Sequence, residues 1–250
     1  MKNSFDIIKF IFSEKKYARI FSDEHYQRQV DQLKKYFPDL TIEILKERDK
    51  KEYVNYLEAD IPMGCSRIGG PIVDLPDEIK YPDGYYFLAQ INCSDIKQFD
   101  KIGFLPENGF LYFFLRDDLE HGCVYYTDKS IARLKRVIKE HENCNWYGKI
   151  IKGYSPEIEK IESRYTEADS DGEKEWDYFA GSEISKIYGI YSNCQANEED
   201  VIKFIKDEDK IILLQIGGDY MDEGCQNVII KKNDLINKDF SKCTFEYNQS

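Results

Sequence analysis

The sequence contains the same ordered set of short motifs twice, and this repeat limits the folds that the chain can adopt. The set is a glycine-containing loop, the tetrapeptide Leu-x-Gln-Ile, and a glycine that precedes an apolar run. The first copies begin at Ser66, Leu88 and Gly109, and the second at Ser185, Leu213 and Gly224. The copies are 119, 125 and 115 residues apart, so the order is kept while the connections differ. Such a repeat predicts a single domain over residues 1–250 that contains two related half-units, at about 60–150 and 180–250.

Composition and charge favour a folded protein that does not bind nucleic acid. Of the 250 residues, 42% are hydrophobic and 14% aromatic, which is enough to bury a sizeable core. The 35 Lys and Arg against 47 Asp and Glu give a net charge of −12, which repels a phosphate backbone. We therefore predict that the protein does not bind nucleic acid. The negative charge has two interpretations: it serves solubility, which is the more common case, or it suits a basic protein partner.

The N-terminus and the cysteines indicate a cytoplasmic protein. Asp6 and Lys9 interrupt the apolar stretch at residues 5–12, which is unlike a secretory signal. No run approaches the ~20 apolar residues of a membrane span. The seven cysteines include no C-x-x-C pair and fit reduced thiols. We expect a cytoplasmic location and no membrane association.

Hydrophobic periodicity predicts an α+β fold, with largely antiparallel sheets and N-terminal helices packed on them. The helical segment covers residues 1–39 and contains two amphipathic helices. Their apolar stripes are Ile7, Ile8, Ile11 and Phe12 in the first and Tyr26, Val30, Leu33 and Phe37 in the second. A further helix is predicted from Ser130 to about Glu142.

Strands and connections follow from runs of β-branched and aromatic residues between turn signals. The predicted strands are 40–45, 85–92, 110–115, 123–127, 210–216, 226–231 and 243–247. A helix is predicted at 198–206 and a turn or helix at 233–236. The polar stretch 157–174 is interpreted as an exposed connection between the half-units.

The repeated glutamines are candidate functional residues. Strand alternation places Leu88 and Gln90 on one face of the first repeated strand, and Leu213 and Gln215 on one face of the second. A glutamine on an apolar face costs stability unless its amide is paired. Gln90 and Gln215 therefore tie their strands to the neighbouring glycine-containing loops, meet near a pseudo-two-fold axis, or bind a ligand at the junction of the halves.

The loop at residues 66–71 offers a second candidate. Its glycines can expose backbone N–H groups to an anion, and Arg67 adds a fork of donors. However, it lacks the spacing of a dinucleotide-binding or P-loop motif. A tight turn packed against the sheet is the alternative interpretation. Lys186 keeps a basic residue at the equivalent position of the second copy.

The loop at 66–71, the strand at 87–92, the run at 109–114 and the later 213–216 together resemble the YwqG-like family of bacterial proteins of unknown function. The resemblance spans roughly residues 60–250. It implies a compact, internally duplicated α+β protein of the cytoplasm with no established activity. Some relatives are suspected immunity partners of secreted toxins. The chain differs from the family pattern in the polar segment 222–226 and in the helix-like insert at 131–142.

Metal and nucleophile motifs are weak. His121, Cys123, His141 and Cys144 are suitable zinc ligands or a Cys-His pair, but their spacing matches no zinc pattern and the sequence does not show whether they meet. The acidic tip at 169–172 lacks the rest of a calcium loop. We predict no metal site and no cofactor.

Two functional classes remain open. The first is a non-enzymatic binding or regulatory protein, such as an immunity-type protein, that recognises a basic macromolecule. The second is a small-molecule binder or hydrolase with a pocket between the halves, lined by Arg67, Gln90 and Gln215. No motif combines a nucleophile, a base and an oxyanion stabiliser, which favours the first class. The oligomeric state is not predicted.

Overall fold

A computed structural model of the chain describes residues 3–17, 31, 35–36, 38, 60–139, 147–168, 170–221 and 224–249. The strands are β1 Ser4–Tyr17, β2 Arg67–Ile68, β3 Ile72–Pro76, β4 Tyr85–Asn92, β5 Phe110–Arg116, β6 Gly122–Thr127, β7 Leu134–Ile138, β8 Gly148–Lys160, β9 Lys186–Tyr188, β10 Lys210–Ile216, β11 Cys225–Lys231 and β12 Thr244–Asn248. The α-helices are α1 Cys93–Ile96, α2 Glu198–Lys206, α3 Gly218–Met221 and α4 Lys232–Ile236, and 3-10 turns occupy Ile131–Arg133, Ile161–Arg164 and Phe240–Lys242. Within these ranges, none of the helices has the length and hydropathy needed to cross a membrane.

Ten strands form one antiparallel sheet, in the order β12-β11-β10-β9-β1-β8-β2-β4-β5-β6, and β3 pairs with β7 separately. The two edge strands approach each other. Gly122 in β6 lies against the ring of Phe245 in β12, and the rings of Tyr126 and Phe240 are 5.7 Å apart. The sheet is therefore barrel-like and nearly closed. Its interior is filled by apolar side chains such as Ile8, Phe10, Leu88, Leu111 and Leu214.

The predicted α+β class with N-terminal helices packed on sheets is wrong. Where the first helix was expected, β1 runs through the centre of the sheet between β8 and β9. Its buried residues Ile7, Ile8 and Phe10 fit either a helical or a strand period over so short a stretch. Pairing with β8, from Ser4↔Lys160 to Tyr17↔Gly148, decides between the two periods.

The helix predicted from Ser130 is also wrong. A 3-10 turn at Ile131–Arg133 leads into β7, which pairs with β3. The polar connection predicted at 157–174 begins inside β8, which ends at Lys160. Most of the second predicted N-terminal helix, the strand at 40–45 and residues 140–142 lie outside the described residues. The other predicted strands, and the helices near 198–206 and 233–236, are confirmed with small shifts of their ends.

The strand order is the same on both sides of the central pair β1 and β8. β2, β4, β5 and β6 follow on one side, and β9, β10, β11 and β12 on the other. Arg67 in β2 faces Gln90 in β4, and Lys186 in β9 faces Gln215 in β10. An internal duplication, which stays a prediction, would give this correspondence. The superposition of the two half-units stays a prediction.

The two serines that open the repeated loops bond to the central strands in the same way. The carbonyl oxygen of Ser66 accepts a hydrogen bond from the N–H of Ile151 in β8, at 2.9 Å. The carbonyl oxygen of Ser185 accepts one from the N–H of Phe10 in β1, at 3.0 Å. Each short strand, β2 or β9, is thereby fixed to one member of the central pair.

A β-bulge in each repeated strand changes the face of its glutamine. The extra residues are Leu88 in β4 and Leu213 in β10, and both point into the interior. Gln90 lies opposite Tyr112, which belongs to the outer layer, and Gln215 occupies the equivalent position. The prediction that each leucine shares a face with its glutamine is therefore wrong, because a bulge shifts strand alternation by one residue.

Different elements cover the outer faces of the two halves. The β3–β7 pair covers the first half and packs Leu75 against Tyr112. Helix α2 covers the second half and packs Val201 with Ile229. Both glutamines are consequently buried beneath a second layer.

We expect Gly109→Ala to lower the free energy of unfolding by about 2 kcal/mol, because alanine disfavours a positive φ and its methyl group meets backbone. Gly109 has a φ of 85°, and an added Cβ would lie 2.1 Å from the carbonyl oxygen of Thr127. Its counterpart Gly224 is in the same position relative to Asn248. The matched control is Gly103→Ala, at a φ of 72° but with open space around the added Cβ. If both variants lost the same free energy of unfolding in urea, the close approach of Gly109 to the carbonyl oxygen of Thr127 would be contradicted.

Candidate functional site

Arg67, the predicted anion ligand, is fully buried in β2. Its Nη2 lies 2.8 Å from Oδ2 of Asp74 and 3.3 Å from Oε1 of Gln90. Nε donates to the carbonyl oxygen of Ile72 at 3.0 Å, and Nη1 donates to the carbonyl oxygen and Sγ of Cys65 at 3.2 and 3.4 Å. The five N–H groups of the guanidinium therefore have partners within the protein.

Asp74 is the centre of this buried network. Its carboxylate also accepts hydrogen bonds from Nε of Arg136 at 2.9 Å and from the N–H of Gly64 at 2.8 Å. Burial favours the neutral acid, but the charge of Arg67 and the hydrogen bonds from Arg136 and Gly64 outweigh it. They hold the pKa of Asp74 below its usual value. Asp74 is thus an ionised structural group shared by two arginines.

Gln90 completes the network. Its Oε1 accepts from the N–H of Asp74 at 2.9 Å, and its Nε2 donates to the carbonyl oxygen of Cys65 at 3.0 Å. The side chain thus ties β4 to β3 and to the segment before β2. The structural interpretation of this glutamine, a tie between strand and loop, is confirmed.

Gln215 has the corresponding role in the second half. It is fully buried, and its Nε2 donates to the carbonyl oxygens of Gly181 and Ile184, each at 2.7 Å. This ties β10 to the segment that precedes β9. Its Oε1 has no hydrogen-bond partner among the described residues.

A second buried ionic network surrounds Lys186. Its Nζ lies 2.7 Å from both carboxylate oxygens of Glu159 and 2.9 Å from the carbonyl oxygen of Ile190. Nη2 of Arg164 lies 3.6 Å from Glu159 and donates to Oγ of Ser192 at 2.6 Å. Burial lowers the pKa of Lys186 and of Arg164 below their usual values. In each network, two cations therefore share one buried carboxylate.

The structure brings Arg67 and Gln90 together but not Gln215. Four strands, β9, β1, β8 and β2, lie between β10 and β4 in the sheet. The three residues therefore do not line one pocket at the junction of the halves. Their ligand-binding role stays a prediction, whereas their scaffolding role is visible in the hydrogen bonds.

The loop at 66–71 is packed as a tight turn. The N–H of Gly69 donates to the carbonyl oxygen of Leu88 at 2.8 Å, and its carbonyl oxygen accepts from the hydroxyl of Tyr17 at 3.0 Å. A Cβ added at Gly70 would lie 2.5 Å from the ring of Tyr17. This geometry matches the tight-turn alternative, because the loop is filled by its own neighbours.

The histidine and cysteine candidates are only partly visible. His121 is exposed in the turn after β5, with Nδ1 3.1 Å from a carboxylate oxygen of Asp118, and Cys123 lies in β6. His141 and Cys144 lie outside the described residues, so their proximity to this pair is not shown. Within the described ranges, no three His, Cys, Asp or Glu side chains are grouped as metal ligands.

A strongly acidic surface lies beside the second half. Residues 162–183 contain eight Asp or Glu and two Lys or Arg, of which Arg164 is buried. The segment folds back on itself, because the N–H of Asp177 donates to the carbonyl oxygen of Arg164 and that of Thr166 to Glu175, at 2.6 and 2.9 Å. We call residues 162–183, with the exposed first turn of α2 at 198–200, the acidic hairpin surface.

This surface is linked to helix α2 through Tyr165. Its hydroxyl donates to the carboxylate of Glu198, and its ring packs edge-on against Trp176 at 5.1 Å. The carboxylates of the helix are therefore adjacent to those of the hairpin. Since Asp and Glu in a first helical turn also interact favourably with the helix dipole, this charge is compatible with a stable helix.

Two exposed aromatic side chains accompany the carboxylates. Tyr178 and Phe179 are 44% and 43% exposed, with ring centroids 4.4 Å apart. The turn that carries them is fixed by Asp177, which accepts from the N–H of Phe179 at 2.9 Å, and by Ser182, which donates to its carbonyl oxygen at 2.7 Å. Aromatic faces beside carboxylates can hold an arginine or lysine by cation–π contact and ion pairing.

Sequence reasoning missed the carboxylates of both buried networks and this aromatic pair. Asp74 had a usable signal, because it is the only charged residue of the apolar run at 72–76. Glu159 had none, since several similar glutamates surround it in the sequence. For Tyr178 and Phe179, the signal was an aromatic pair within an acidic stretch.

Comparison with known proteins gives a family but no activity. No curated protein matches the chain. A family model described as "Domain of unknown function (DUF1963)" matches residues 66–248, which include both repeated loops and every strand from β2 to β12. The chain therefore belongs to the family described as Domain of unknown function (DUF1963).

Proposed function

We propose that this protein is a non-enzymatic binding protein that recognises a basic macromolecule through the acidic hairpin surface. The observation that carries the proposal is the combination, on one surface, of the densely acidic segment 162–183 with the exposed pair Tyr178 and Phe179. Interfaces use aromatic anchors for affinity, and charge of opposite sign speeds the encounter.

The location of the charged groups supports this role. Carboxylates that could serve catalysis in a buried pocket, Asp74 and Glu159, are each occupied by two cations. The carboxylates of the hairpin are instead mostly exposed, where they can meet a partner. The finer parts of the proposal, a YwqG-like protein and an immunity-type role, depend on the sequence resemblance.

The test is to neutralise the hairpin with Asp171→Asn, Glu173→Gln and Glu175→Gln together. The probe is fluorescein-labelled polyarginine, and its binding is measured by anisotropy. Exposed charge pairs contribute about 0.5 kcal/mol each. The triple variant should therefore bind about tenfold more weakly. Binding of the wild type should weaken as salt rises to about 0.15 M, where fields are screened beyond about 8 Å.

A control with the same change in charge separates a defined surface from general attraction to an acidic protein. Glu14→Gln, Glu120→Gln and Asp128→Asn remove three exposed carboxylates outside the hairpin. Tyr178→Ala with Phe179→Ala tests the aromatic pair without a change in charge. If the control triple weakens binding as much as the hairpin triple, and the aromatic variant has no effect, the proposed surface is wrong.

A further inference from the structure

A groove of about 900 Å³ opens between the beginning of β1 and the beginning of β10, and none of its lining residues belongs to the acidic hairpin surface. Its size falls within the range of ligand-binding pockets. It is lined on the strand side by Ser4, Phe5, Asp6, Lys210, Ile211 and Ile212. The loop after α1 and the end of α2 form the rest of its wall.

The groove exists because β9, the strand between β1 and β10, is only three residues long. β9 pairs with Ile7–Lys9 of β1 and meets β10 at a single position, Lys186↔Gln215. The chain then leaves the sheet at Tyr188 and Gly189, whose φ angles are 65° and 94°. Where β9 would have continued, its two neighbouring strands are left facing each other.

The two strands that form the walls of this gap are each paired with another strand on the edge that faces away from it. Residues 4–6 of β1 pair with β8, and residues 210–212 of β10 pair with β11. In the described part of the chain, no strand pairs with residues 4–6 on their other edge. Two strands that flank a third are roughly 9.5 Å apart, twice the usual strand spacing. At that spacing the gap has the width of one extended chain.

The side chains around the gap are suited to an apolar segment without strong charge. Phe5, Phe104, Phe204 and Ile211 line it, while lysines and carboxylates occur in equal number. Lys210 lies 3.7 Å from Asp207, so part of this charge is already compensated. Recognition here would depend on main-chain hydrogen bonds and apolar contacts rather than on net charge.

We infer that the groove binds an extended peptide segment of a partner protein, which adds as a strand between β1 and β10 in continuation of β9. Open strand edges pair readily with an extended chain. Alternate side chains of the bound segment point toward the apolar residues, so we expect apolar residues at every second position. This site is independent of the acidic hairpin surface, and the inference does not rest on the proposed function.

The test is selection of short random peptides displayed on phage against the full-length protein, followed by anisotropy with the selected peptides. We expect peptides with alternating apolar residues whose binding changes less than threefold between low and physiological salt. N-methylation of either set of alternate residues should weaken binding at least tenfold, because the N–H groups of a strand between two neighbours donate alternately to one wall and to the other.

Two variants locate the site. Ile102→Arg places a charge at a groove residue that is already 39% exposed, and should weaken binding at least tenfold. Ile158→Arg makes the same change on β8 outside the groove and should leave binding unchanged. Failure to enrich any peptide, binding that tolerates N-methylation, or equal effects of both variants would overturn the inference. The polyarginine test would be unaffected by any of these results.

Discussion

Asp74→Ala is expected to lower the free energy of unfolding by about 3–5 kcal/mol, the usual cost of removing one partner from a buried ion pair. The loss arises because Arg67, which has no exposed surface, would keep its charge without a counter-ion. It would be measured by guanidinium unfolding at pH 7. Replacing all three charged partners, as Arg67→Met, Asp74→Leu and Arg136→Met together, should recover much of the loss, since no charge of this network then remains.

The matched control for Asp74 is Asp83→Ala. Asp83 also forms an ion pair, 3.6 Å from Lys139, but it is fully exposed. Exposed pairs contribute between about 0 and 1 kcal/mol. If Asp74→Ala cost no more than Asp83→Ala, the network around Arg67 would not stabilise the fold.

The same carboxylate gives a pH dependence with a definite sign. Because the folded pKa of Asp74 is lowered, its contribution is fully present above the unfolded value of about 3.9 and is lost as the pH falls through the folded pKa. The wild type should therefore lose stability between about pH 4 and the lower folded pKa, and Asp74→Ala should lose less over that interval. Parallel curves for the two proteins would contradict this assignment.

Glu159→Ala is expected to have an effect of the same size, about 3–5 kcal/mol, in the other half of the molecule. Lys186 would then be buried with no carboxylate, and Arg164 would lose its counter-ion. The expected result is a large fall in the midpoint of guanidinium unfolding at pH 7.

The matched control for Glu159→Ala lies in the same strand, β8. Glu157 lies two residues before Glu159, and its carboxylate is 3.9 Å from Lys9 with about two fifths of its side chain exposed. Glu157→Ala should therefore cost less than about 1 kcal/mol. If Glu157→Ala lowered the free energy of unfolding as much as Glu159→Ala, the loss would reflect disruption of β8 by any substitution. Lys186→Met would then test the buried pair directly.

The sequence correctly predicted those strands whose own residues are typical of a strand. β4 and β5 are dense in aromatic and apolar residues between turn residues, and both were confirmed. β1 was assigned to a helix because its apolar spacing fits both periods, and only pairing with β8 and β9 fixes it as a strand. The predicted helix after Ser130 failed for the same reason, since β7 depends on β3.

The candidate site depended even more on long-range contacts. Arg67 and Gln90 were predicted as ligand-binding residues, which stays a prediction, and the structure shows a hydrogen bond between them. Asp74, the partner of Arg67, had a usable signal, but its contact with Arg136 spans 62 positions of the chain and could not be found from the sequence. The bulge at Leu88 was equally invisible, since nothing in the residue types marks the extra position.

The central position of β1 sets an order of events during synthesis. β1 leaves the ribosome first, yet its partners β8 and β9 begin at Gly148 and Lys186, and the family match that begins at residue 66 does not include it. At about 5–20 residues per second, roughly 7–30 s pass between the synthesis of β1 and the synthesis of β8. Until then, neither repeated unit can be joined to the other. On the nascent chain, β1 therefore stays without its partner strand until β8 is complete at Lys160.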